Sequence, residues 1–250
     1  MAPALRRITV AALAAVMLAP LAAWAQPTSV PLESPAGLRL HNVSATPATL
    51  QGRKGLRVEL SDETRRTLQA MTPEEQQKAA ASGLGEQLAV IEASDFGDGV
   101  IEAEIAGAPR ADAGEGARGF VGIAFRVQDD LKTYDAFYLR PTNGRADDQV
   151  RRNHSAQYIS HPDWPWFRLR KEFPEKYESY VDLVPGEWTP IRIEVQGERA
   201  RLFVNGQPQP TLIVNDVKSG ARGRGRIALW IDSGTVAHFR NLVVTDAPRR

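Results

Sequence analysis

The chain of 250 residues contains no cysteine, which excludes a disulfide framework, a thiolate metal site and a cysteine nucleophile. It equally excludes the lipid-bearing cysteine of a bacterial lipoprotein. Neither charge sign dominates, since Lys and Arg total 31 against 30 for Asp and Glu. Such a balance gives no bulk electrostatic pull toward nucleic acid or an acidic membrane surface. Long hydrophobic runs are missing after the first 25 residues. The opening stretch, MAPALRRITVAALAAVMLAPLAAWAQ, has Arg6 and Arg7, an apolar run from Ile8 to Ala23 broken by Pro20, and then Ala23-Trp24-Ala25. The run is about 16 residues, short of the roughly 20 that span a bilayer. Its flanks are those of a secretory signal peptide with an A-x-A cleavage site. Residues 1–25 are therefore expected to be removed, leaving a periplasmic or secreted protein that does not insert in the membrane, and the alanine-rich leader points to a bacterium.

What remains reads mostly as strands. Residues 26–37 are rich in Pro and Ser and are expected as an exposed leader, followed by extended segments LRLHNV from Leu38 and GLRVEL from Gly55. The segment 62–82 differs, with Thr72 as a candidate N-cap, Pro73 for a first turn, Glu74 and Glu75 complementing a helix N-terminus, and Gly83 as a stop. One or two short helices are expected there. From Glu86 onward strand patterns recur between turn signals. Ile101, Ala103 and Ile105 share a face, as do Val121, Ile123, Phe125 and Val127, then Ile191, Ile193 and Val195, then Ile227, Leu229 and Ile231. These faces are expected to form the core between two sheets.

The C-terminal third carries the most specific pattern. GEWTPIRIEVQGERARLFVNGQ and GRGRIALWIDSGTVAHFRNLVV place a Trp before a strand, a V-N-G turn, a G-x-I-x-L strand and a final F-x-N-L-x-V strand. This resembles the closing strands of the concanavalin A-like lectin/glucanase superfamily. The resemblance implies an all-β jelly-roll β-sandwich of two antiparallel sheets over 38–246, with the helical insertion near 62–82 and a tail at 247–250. That superfamily includes lectins, laminin-G-like modules, glycoside hydrolases and the 3-keto-disaccharide hydrolase domain, so function has to come from the site. The last of these typically shows N-S-G before a strand ending in F-R, then a Y-E-x-Q strand. Here the counterparts are FVGIAFR and YDAFYLR, which lack the asparagine-serine pair and the glutamate-glutamine pair and so count against hydrolysis.

Candidate site residues follow from the faces opposite the core. Glu102 and Glu104 share one strand face, as paired carboxylates for glycosidic cleavage would. EAEIAG has no third acid where the E-x-D-x-E strand of family-sixteen glycoside hydrolases carries one, and a solvated polar face, the usual partner of an apolar one, accounts for the pair better. No catalytic residue is assigned beyond these two. Arg126, Tyr138, Arg140 and Trp230 lie on non-core faces, where an aromatic ring suits a sugar's apolar face and Arg its hydroxyls or carboxylates.

Between Tyr138 and Tyr180 the chain runs too far for a hairpin turn and is too aromatic for disorder. This ordered excursion, with a short strand at 157–160, is expected to wall the concave sheet under residues 142–180. Asn143, Arg145, Arg152, Asn153, His154, Gln157, Tyr158, His161, Trp164 and Trp166 are its candidate ligand contacts. The alternative keeps the excursion as a purely structural wall. His154, His161 and Asp163 match no metal-ligand spacing, and no cofactor is expected. Asp147 and Asp148 offer oxygens to calcium, but without the alternating ladder of a calcium loop. The partner expected is a carbohydrate or envelope glycan. Cleavage of a 3-keto disaccharide and a laminin-G-like protein contact are the alternatives.

Overall fold

A computed structural model describes residues 26–79 and 85–248. The segment expected as a signal peptide, the end of the expected helical insertion with Gly83, and the last two residues of the tail lie outside the described residues. The chain folds into a jelly-roll β-sandwich of two antiparallel sheets. The first runs β13 (Leu212–Val214), β12 (Arg199–Val204), β11 (Thr189–Gln196), β6 (Gly99–Pro109), β15 (Thr235–Asp246), β4 (Arg53–Leu60) and β3 (Val43–Leu50), with β1 (Thr28–Val30) also on β15. The second runs β10 (Glu178–Ser179), β9 (Ala156–His161), β8 (Tyr134–Leu139), β7 (Val121–Val127), β14 (Gly225–Ile231), β5 (Leu88–Phe96) and β2 (Leu38–His41).

The expected inward faces meet between the sheets. Ile101, Ile105, Ile123, Phe125, Ile193, Ile227 and Leu229 are buried in one hydrophobic cluster, and burying each such side chain stabilises the fold by roughly 1.5–3 kcal/mol. Two strands appear where none was expected. β1 pairs Ser29 with Val243 inside the presumed leader, and Leu32 behind it is 2% exposed. β3 carries Pro47, which an edge strand tolerates because one side of its backbone has no partner.

The insertion forms α1 (Asp62–Gln69) and α2 (Pro73–Ala79). Ser61 Oγ accepts from the Thr64 amide at 3.2 Å to cap α1. Thr72 caps α2 reciprocally, its Oγ1 accepting from the Glu75 amide at 3.3 Å while its own amide donates to Glu75 Oε2 at 2.8 Å. These are the two arms of a capping box.

The excursion after β8 is built into the second sheet. A single 3-10 turn at Pro141–Asn143 leads to α3 (Gln149–Asn153), then to β9, which pairs along the whole of β8. Then α4 (Trp166–Glu172) packs on β9, and β10 adds the edge by pairing Glu178 with Gln157. The segment thus extends the sheet by two strands, because both faces of β9 carry side chains that bury: Tyr158 inward, Gln157 and Ile159 outward.

Candidate functional site

Register places one continuous row of side chains across the outer face of the second sheet: His41, Leu88, Trp230, Gly122, Tyr138, Gln157 and Glu178. The next row is small in its middle, with Ala228, Ala124 and Ala136 between Val90 and Ile159. Gly122 permits the first row to pack. A Cβ there would stand 2.6 Å from Tyr138 Cβ, and without one the Tyr138 and Trp230 rings stack across β7 at 4.7 Å between centroids. Alternation carries the face past the strand ends to Phe120, Arg140 and Asp232.

At one end stand Glu86, Tyr134, His161 and Trp230. The Trp230 indole N–H donates to Tyr134 Oη at 3.0 Å, and Tyr134 O–H donates to Glu86 Oε2. His161 Nδ1 lies 2.9 Å from Glu86 Oε1 and 3.0 Å from Tyr134 Oη. Because the carboxylate can only accept there, Nδ1 carries the ring proton and Nε2 is left as the basic nitrogen. Burial, then the Glu86 carboxylate, push the Tyr134 hydroxyl well above its usual range, so it stays a donor.

At the β10 edge, Glu178 accepts from Arg170 at 2.6 Å and approaches His154 Nε2 at 3.2 Å. Burial is the main influence lowering the His154 pKa. Arg140 lies between, donating from Nη2 to Tyr138 Oη at 2.7 Å and to Gln157 Oε1 at 3.1 Å. The Trp166 ring, 40% exposed, stands beside both arginines, 5.4 Å from the Arg140 guanidinium and 4.8 Å from that of Arg170. Asp232 accepts from the Gly234 amide at 3.2 Å, and burial raises its carboxyl pKa. It also borders a crevice against the helical insertion, lined by Leu60, Arg65, Leu68 and Arg110.

Of the residues singled out from sequence, Tyr138, Arg140, His154, Gln157, His161, Trp166 and Trp230 are brought together here. The others lie elsewhere. Arg126 has φ 57° at a bulge in β7, between its pairings with Arg226 and Ala228 of β14, and a bulge re-aims a side chain. Its guanidinium, 1% exposed, bonds Gly97 O, Gly197 O, Gly220 O, Ser219 Oγ and Asp98, closing one end of the sandwich.

Tyr158 faces the interior, where its hydroxyl donates to Asp135 at 2.5 Å; burial raises the Asp135 carboxyl pKa. Trp164 packs on Phe173, with the Arg168 guanidinium over its ring at 3.9 Å. Arg145 pairs with Asp182 at the surface and Arg152 covers Tyr180. Asn143 donates to His154 O, while Asn153 accepts from Gln149 within α3. Glu104 meets Arg53, Arg240 and Asn241 on the outer face of the first sheet, where Glu102 sits opposite Arg192. Among the described residues no cluster of His, Asp and Glu suited to a metal occurs, and no helix is long and apolar enough to cross a membrane.

Glu86, Glu178 and Asp232 were not singled out from sequence as site residues. Asp232 was within reach, since it continues the alternation of Trp230. Glu178 joins the face only through the β9–β10 register, and nothing local marks Glu86.

The carbohydrate-binding module CBM66 from Bacillus subtilis is similar with a TM-score of 0.49 and 13% identity, over 82% of this chain and 96% of that one. A Bacillus subtilis protein of unknown function with a galectin-like fold gives 0.49 and 14%, over 89% and 96%. A Bacillus licheniformis beta-glucanase gives 0.44 and 13%, over 90% and 99%. At such identities the likeness concerns the fold alone. No curated protein matches the chain. The family model described as the 3-keto-alpha-glucoside-1,2-lyase-like domain matches residues 61–245, and the chain belongs to that family.

Proposed function

We propose that the chain is an exported cell-envelope protein that binds a carbohydrate on the outer face of the second sheet. The observation that carries this reading is the half-exposed Trp166 ring set beside two arginine donors, the buried Arg140 and the half-buried Arg170. An indole offers a flat apolar surface to a sugar ring, and guanidinium groups alongside it bond hydroxyl or acidic oxygens. Calorimetric titration with a panel of α-glucosides and their 3-keto forms tests it. At least one is expected to bind saturably, with affinity reduced about tenfold or more in Trp166→Ala, a loss of about 1.4 kcal/mol. Equal binding by that variant contradicts the reading.

A second reading, cleavage of a 3-keto glucoside, is favoured by the Glu86–His161–Tyr134 group and by the family. In it, His161 Nε2 takes the proton from C2, next to the C3 carbonyl. The C–H electron pair becomes the C1–C2 double bond, the C1–O bond breaks, and the departing oxygen receives the proton back from the imidazolium. The products are an alcohol and a 1,2-unsaturated keto sugar. Glu86 and Tyr134 hold the ring with Nδ1 protonated. Product analysis with a 3-keto disaccharide is the test: cleavage abolished in His161→Gln supports it, and its absence in the unaltered protein removes it.

A further inference from the structure

Arg140 is a buried cation with no carboxylate against it. It is 5% exposed, its two hydrogen bonds both leave from Nη2 for the uncharged acceptors Tyr138 Oη and Gln157 Oε1, and its Nε is buried without a partner. The rings of Phe120, Tyr138 and Trp166 stand 5.0, 5.3 and 5.4 Å from the guanidinium carbon.

Arg126, as buried as Arg140, and Arg170, half-buried, show what the fold does elsewhere with such a charge. Arg126 meets Asp98 at 3.1 Å with four further acceptors around it, and Arg170 meets Glu178 at 2.6 Å. A guanidinium removed from water is costly unless an anion compensates it. Rings supply only part of that compensation. Asp232, the carboxyl at this end of the face, makes no ion pair with Arg140. Burial pushes its pKa up, while the Arg140 charge pulls it down. Arg118 and Arg151 add positive potential at the same end.

Resting on the carbohydrate reading of this face, we infer that Arg140 recognises a carboxylate of the ligand and that the glycan bound there is acidic, bearing uronic acid units. Nη1 donates to no acceptor among the described residues, and its N–H groups are those left for a carboxylate oxygen of the ligand. Tyr138 and Gln157 occupy Nη2, so the guanidinium plane is fixed before a ligand arrives.

The test is calorimetric titration of the unaltered protein with uronate disaccharides, digalacturonate and diglucuronate among them, each against its neutral counterpart at low and at raised salt. The acidic member is expected to bind about tenfold tighter or more. Added salt should narrow that preference, and Arg140→Met should abolish it. Equal affinity for acidic and neutral members in the unaltered protein overturns the proposal while leaving the carbohydrate reading intact, and needs no variant to fold. An Arg140-dependent gain for a neutral 3-keto glucoside with none for the uronates also overturns it, because the guanidinium then reads a carbonyl oxygen. If no sugar of either kind binds, the carbohydrate reading fails, and the proposal with it.

Discussion

The outer faces of the two sheets use polar side chains in opposite ways. On the first sheet β11 alternates between buried and open positions, and its outward charges meet neighbours in water: Glu102 opposite Arg192, Glu104 with Arg53 and Arg240. On the second sheet β7 and β8 are buried at every position. The polar groups there lie under cover and are bonded within the face: Arg140 to Tyr138 and Gln157, Tyr134 to Glu86 and Trp230, and Glu178 to Arg170. A solvated sheet face needs no such arrangement, since water satisfies its polar groups at no cost. Polar groups held under cover are where ligand recognition has something to act on. Exposed ion pairs on the first sheet carry little energy and little specificity.

The largest expected effect lies at the end of the second sheet, where Arg126 is a closing staple. Arg126→Met leaves Asp98 and three backbone carbonyls without their donor, and urea denaturation should show a loss of about 3–5 kcal/mol. Gly122→Ala comes next. Its new Cβ collides with Tyr138, and the loss should be about 3 kcal/mol in the same measurement. A neutral result there would mean the Tyr138–Trp230 stack is not what shapes the face.

Two carboxyls under different cover should respond to pH with opposite signs. Asp232, with its folded pKa raised by burial, binds its proton more tightly folded than unfolded. Its contribution is therefore greatest below the ordinary carboxylate range and is lost as pH rises through the folded value. Asp232→Asn should remove that slope. At Asp216, burial pushes the pKa up, but bonds from Tyr177, Lys176 and Lys218 outweigh it and hold the carboxyl down at about 2. That contribution is present above the ordinary value of 3.8 and is lost as pH falls toward about 2. Denaturation curves from about pH 2 to 7 on Asp216→Asn should lack this acid limb. The smallest effect belongs to the first sheet: Glu104→Gln should cost less than about 1 kcal/mol and leave sugar binding unchanged.

This contrast also explains how much could be read from sequence. Strands β6 and β11 of the first sheet alternate, so they are visible in the order of residues alone, as are the inward faces of β7 and β14 in the second. The outer face of the second sheet is visible only in part. Period-two spacing finds Tyr138 and Arg140, two residues apart, and Trp230, which falls opposite the Ile227, Leu229 and Ile231 face. It misplaces Arg126, because a bulge with positive φ turns one residue against the alternation. Treating the excursion as a wall rather than as strand β9 groups Tyr158 with Gln157, neighbours that point to opposite faces of the sheet. Glu86 and Glu178 join the site through pairings far apart in sequence, which no local pattern encodes.

The most direct test of the two-face account is a 1H–15N NMR titration of tryptophan indole signals with a uronate disaccharide or a 3-keto glucoside. The Trp230 indole N–H donates to Tyr134 Oη within the candidate site, Trp166 stands at its rim, and the Trp188 indole N–H donates to Leu50 O at the first sheet. The Trp166 and Trp230 signals are predicted to shift saturably while Trp188 stays fixed. Shifts at Trp188 with Trp166 and Trp230 unmoved would place the ligand on the other sheet and contradict the account.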